Sequence, residues 1–204
     1  MLDTASERGR SLRKSGTIGS IGREGAMRPD QRARRANGII SAFIIAFFIV
    51  HGALGCALLV CGFNDAFSVA VWAGVAVMVA HVVLCVATSV YQLTDTVRPP
   101  SVHKKRHLAL KWVTGGLLAL VALVHVLCFR VLGESGEALT IPAGLVIVAV
   151  AAFLSAHICV GSKSLLKDIG LDRSLRPVVR AVAVIAGVAF GLIAVLNALG
   201  VIQP

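Results

Sequence analysis

Four histidines, His51, His81, His125 and His157, each stand alone within a long run of uncharged, mostly apolar residues. A histidine inside lipid is costly unless something partners it, so each of the four requires an explanation. A neutral imidazole can hydrogen-bond a neighbouring helix, pass a proton, or ligate a metal through one ring nitrogen. Stapling one helix to another is the commoner fate of a single membrane histidine, and that reading stays open. A proton relay or ion-coupled transporter usually carries carboxylates among its histidines. Here no Asp, Glu, Lys or Arg interrupts the four runs. Two bis-histidine b-type haems need four neutral imidazoles on a four-helix bundle and nothing else charged, which is the pattern present. His103 and His107 sit in a basic stretch and call for no special reading.

Glycines accompany these histidines. Gly55 is four residues after His51, Gly74 seven before His81 and Gly161 four after His157. Such spacings share the histidine's helical face, where a missing side chain lets a flat macrocycle approach. Gly is frequent in any membrane helix, so this observation is supporting only. The five cysteines (Cys56, Cys61, Cys85, Cys128, Cys159) show neither metal-ligand spacing nor a C-x-x-C-H haem-attachment pattern. They read as small helix- or lipid-facing residues.

The elements that must position these residues are apolar helices. Trp112 to Phe129 is held between Lys111 and Arg130 and has no charge. At about 1.5 Å per residue it nearly crosses a hydrocarbon core, and its flanking cations can snorkel to the head groups. The 204 residues are 57% hydrophobic and only 15% charged, with mean hydropathy +0.86. Soluble domains average about 25% charged, so an all-α integral membrane protein is expected. Five helices are predicted, at about Gly38–Phe63, Ser68–Leu93, Leu108–Leu132, Ile141–Ser162 and Val178–Ile202, the first four forming an up-and-down bundle. The formal charge of +10 gathers at the ends of these runs with no aromatic-interleaved basic face, which argues against a nucleic-acid partner.

Residues 1–36 hold nine of the twenty Lys and Arg and few apolar residues. They are expected to be disordered or to lie on the membrane surface, with residues 37–204 forming the transmembrane domain. No cleavable signal peptide is expected, because the first apolar run is too long for an h-region. With the N-terminus cytoplasmic and the C-terminus outside, the inner segments hold 19 of the 20 basic residues, leaving Arg130 outside. The positive-inside rule therefore predicts that orientation in a cytoplasmic or inner membrane. Loops this short leave no room for a catalytic domain, so the chain is expected to be non-catalytic alone.

Two motifs carry a resemblance. Helix 3 reads V-T-G-x9-H (Val113, Thr114, Gly115, His125), and helix 4 with its exit reads H-x3-G-x2-S-x5-G (His157, Gly161, Ser164, Gly170). The stretch from Trp112 to Gly170 resembles the cytochrome b subunit of succinate dehydrogenase and fumarate reductase, in its single-chain, five-helix, di-haem form. Ser41 and arginines before helix 1 add to the likeness, while Cys85 stands where the family often has glycine. The resemblance implies a membrane anchor for a flavoprotein subunit and an iron–sulfur subunit on the cytoplasmic face. Two haems b would pass electrons between the iron–sulfur chain and a quinone pool. It also implies that each ligand's second nitrogen bonds a carbonyl or side chain, and that Gly115 lies at a haem. Arg130 on the outer side, and Lys111 or Arg180 on the inner side, would meet the propionates.

Other haem-bearing subunits, of a hydrogenase or formate dehydrogenase, satisfy the same histidine count. A haem-free transporter or scaffold remains the reading from another class. Docking of the iron–sulfur subunit is expected on residues 98–106 and 163–176. Quinol oxidation needs a proton acceptor near the surface; on the outer side Asp65, Glu134 and Glu137 qualify, and Asp65, in a tight turn between two histidine-bearing helices, is the candidate.

The ligand pairing follows from topology. In an up-and-down bundle sequential helices are neighbours, so helix 1 faces helix 3 and helix 2 faces helix 4 across the diagonals. Depth between flanking charges excludes helix 1 with helix 2, which would leave the other pair about 15 Å apart in a core of about 30 Å. Depth alone leaves helix 1 with helix 4 nearly as good. The diagonal argument and the resemblance select an outer haem on His51 and His125 and an inner one on His81 and His157.

Overall fold

The computed structural model describes residues 29–61, 67–94, 100–135 and 140–202. Five α-helices follow one another: α1 (Pro29–Cys61), α2 (Phe67–Leu93), α3 (Val102–Ser135), α4 (Ile141–Ile169) and α5 (Arg176–Ala198). All five are long and apolar enough to cross a membrane, and no strand occurs among the described residues. The chain is an all-α, multi-pass membrane protein. Its surface fits that solvent: Trp72, Val83, Leu120, Leu145 and Ile185 are all more than half exposed, which in water would cost heavily and in lipid costs nothing.

Hydropathy marks where a helix is wet, and the helices do not stop there. α1 begins at Pro29, inside the segment expected to be disordered or to lie on the membrane surface, so its first turns precede the apolar run. α3 takes in the basic stretch from Val102, and α4 runs on through Lys163, Lys167 and Asp168. At 34 residues α3 is about 50 Å long against a hydrocarbon core of about 30 Å, so its first turns stand in the head-group layer. Ser101 caps it, its hydroxyl accepting from the Lys104 N–H at 3.3 Å. Pro177 sits in the first turn of α5, where a missing N–H costs nothing. Gly170, the last residue of the second motif, is the left-handed cap of α4 at φ 80°, with the Leu171 N–H bonded to the Leu166 carbonyl at 2.8 Å.

Packing is tightest between α4 and α5 and between α3 and α4, with α1 set against α2, α4 and α5. Small residues make the α4–α5 seam. Ala183, Gly187 and Gly191 recur every four residues along α5; Gly187 meets Ala151 and Ser155 of α4, Gly191 meets Val148, and the Ser155 hydroxyl donates to the Ala183 carbonyl at 2.8 Å. Without a hydrophobic drive between helices in lipid, such backbone approach and buried hydrogen bonding supply the attraction. Among the described residues, α2 packs on α1 but has no comparable seam with α3 or α4. The four histidine-bearing helices therefore enclose a space rather than a solid core.

Candidate functional site

That space is a cavity of about 300 Å³, lined by residues of α1, α2, α3 and α4. His81 and His157 both line it. At its basic end Arg34 donates to Asp168 at 3.0 Å and so ties α1 to α4. Lys111 of α3 reaches the Ser164 hydroxyl of α4 at the same end.

His81 and His157 are held by hydroxyls. The Ser41 hydroxyl donates to the Asn37 carbonyl at 2.7 Å, one helical turn back. Its single proton being used there, it can only accept at the 3.3 Å contact with His81 Nδ1. Thr114 repeats this arrangement, donating to the Leu110 carbonyl at 2.9 Å and lying 3.1 Å from His157 Nδ1. Both imidazoles are thereby assigned the tautomer with hydrogen on Nδ1, which frees Nε2 as a lone-pair donor. At His81 the group facing Nε2 is the Cys85 thiol, 3.5 Å away and a weak partner.

A second pair sits on α1 and α3, further along the helices that carry Ser41 and Thr114. His51 and His125 have ring centroids 6.3 Å apart, with planes at 89°. Phe47 stacks on His51 at 5.8 Å, and Phe129 lies 4.6 Å from His125. Among the described residues, the buried His125 Nδ1 has no hydrogen-bond partner. Ser41 precedes His51 by ten residues on α1, and Thr114 precedes His125 by eleven on α3. Both intervals amount to about 15 Å of helix, so the two histidine pairs occupy separate levels. Each pair spans a diagonal of the bundle, α1 with α3 and α2 with α4.

The glycines divide by role. Gly161 and Gly116 line the cavity with nothing within 4 Å of where a Cβ would stand, so both leave open space. A Cβ on Gly115 would lie 3.1 Å from His157 Cε1, so this glycine makes room for the imidazole itself. The V-T-G motif, read from sequence as leading to His125, thus lies beside His157 on the opposite helix. Gly55 also faces open space but lies away from the cavity, and Gly74 is the seat of the Phe47 ring. Of the expected cations, Lys111 lines the cavity. Arg180 does not: its guanidinium holds the Cys159 carbonyl at 3.1 and 3.2 Å, clamping α5 to α4. Asp65 and the side chain of Arg130 lie outside the described residues.

Sequence reading passed over Asn37, Arg34, Asp168 and Gly116, all of which line the cavity. Asn37 had a legible signal, because it stands four residues before Ser41 at the edge of an apolar run.

The donor set suits a metal that brings its own equatorial ligands. Among the described residues no three His, Cys, Asp or Glu side chains converge, so a bare ion would find no protein-built cage. Two imidazoles at one level, an orphaned ring nitrogen and open space over glycines fit a haem better. No family model, no curated protein and no solved structure matches this chain.

Proposed function

We propose that this chain is a di-haem cytochrome b membrane subunit, with His51 and His125 holding one haem and His81 and His157 the other. One observation carries the reading: two diagonal histidine pairs lie at two levels, and the inner pair is held with Nε2 free by hydroxyls that can only accept. A haem, when bound, supplies a one-electron iron couple. The chain's own residues do the rest. Ser41 and Thr114 orient the inner imidazoles, Gly115 makes room for His157, Gly116 and Gly161 keep the cavity open, and the lipid-facing shell of Val, Leu and Ile excludes water. Lys111 puts positive charge at the basic end of the cavity, where an anionic propionate would lie.

Within that reading, the finer assignment is the anchor subunit of a succinate:quinone oxidoreductase or fumarate reductase. It is supported by the two motifs and by the gathering of basic residues at one end, where an iron–sulfur subunit carrying electrons would dock. Quinone would meet the opposite end, near Asp65. The test is a reduced-minus-oxidised absorption spectrum of the purified chain. Two b-type haems per polypeptide are expected, and a preparation from haem-replete cells that carries none refutes the proposal.

A further inference from the structure

Each helix that carries an outer histidine also reaches back to an inner one. α1 supplies His51 and, ten residues earlier, the Ser41 hydroxyl at His81 Nδ1. α3 supplies His125 and, eleven residues earlier, the Thr114 hydroxyl at His157 Nδ1. Among the described residues the outer pair has no such arrangement at His125, whose buried Nδ1 meets no hydrogen-bond partner there. The two levels therefore differ in chemistry although their ligands are of one residue type.

Resting on the haem reading above, we propose that Ser41 and Thr114 are positioning residues that set the electronic character of the inner haem alone. A hydroxyl accepting from Nδ1–H leaves more electron density on the ring, which makes Nε2 a stronger donor. A stronger axial donor favours the ferric over the ferrous state and so lowers the reduction potential. The hydroxyls also fix ring orientation, because each is itself anchored to a helix carbonyl one turn back. Neither hydroxyl would touch the iron. Both act through the ligand, and on one level only, because the other level lies about 15 Å further along α1 and α3.

The experiment compares Ser41→Ala and Thr114→Ala with the hydroxyl-retaining Ser41→Thr and Thr114→Ser, all purified as full chains. Redox titration of the haem absorption resolves the two haems, and His81→Ala identifies which of them is inner. In each alanine variant the inner haem's midpoint is expected to move upward while the outer one stays in place. Its retention against an apo-protein haem acceptor should fall about 10- to 100-fold. The hydroxyl-retaining variants should restore both properties. Unmoved midpoints, an equal shift of both haems, or loss of both haems overturns the proposal while leaving the haem reading intact. A wild-type chain without haem overturns both.

Discussion

Replacing Gly115 with alanine separates the role of the V-T-G motif from ordinary helix stability. The new Cβ would stand 3.1 Å from His157 Cε1, 3.5 Å from Nδ1 and 3.9 Å from Nε2. The first of these is tighter than ordinary contact, so the ring must retreat by a few tenths of an ångström. It cannot do so freely, because Thr114 holds Nδ1 at 3.1 Å from the side of the same helix. Retreat stretches that bond towards the far limit of hydrogen-bond geometry, costing about 1 kcal/mol of net interaction. Against this, Gly to Ala in a helix interior gains about 0.5–1 kcal/mol. The two nearly cancel, so the thermal stability of the chain in detergent should hardly change. The inner haem should still loosen, with weaker retention and a shifted midpoint, while the outer haem keeps its wild-type values. Gly191→Ala on α5, whose Cβ would meet only Val148 at an ordinary 3.7 Å and which lies outside the cavity, is the control and should leave both haems unaltered. An unperturbed inner haem in Gly115→Ala, or a disturbed outer one, would refute the placement of this motif beside His157.

Four further outcomes are expected. His51→Ala and His125→Ala should abolish the same haem and His81→Ala and His157→Ala the other, followed by potential; any crossed loss breaks the pairing. Gly187→Leu should destabilise the chain by about 1–3 kcal/mol in detergent unfolding, because its side chain must displace Ser155 and the Ala151 carbonyl from the α4–α5 seam. Asp65→Asn should cut quinone-linked turnover and spare haem content, and unchanged turnover removes Asp65 from the reaction. Between α4 and α5 the Ser174 N–H donates to Asp172 at 3.0 Å and holds its carboxyl below the usual carboxylate range. A lowered carboxyl steadies the turn above its ordinary value, and that support fades as pH falls through the folded value, below about 4. Hydrogen exchange at residues 170–176 should rise there in wild type, and an Asp172→Asn chain with the same pH profile would contradict this.

The sequence by itself determined the solvent and the element count. Five uncharged runs of membrane length admit only helices in lipid, since no water is present there to satisfy the backbone. One histidine per run on four of them was equally legible, because an ionisable side chain stands out against Val, Leu and Ile. Helix ends were not legible from hydropathy. Arg32 to Arg35, Val102 to His107 and Lys163 to Asp168 continue a hydrogen-bond ladder that hydropathy cannot register. Only the tertiary structure decided which side chains meet across helices. Thr114 and Gly115 face His157 and not the histidine of their own helix, and Ser41 faces His81. It also turned Arg180 onto the Cys159 carbonyl and away from the cavity. Spacing along one helix fixes which residues share a face, but the rotation and depth of the neighbouring helix are set by small-residue seams such as Gly187 against Ser155. Those seams involve residues far apart in the chain, and so the register they impose has no signature in any single run.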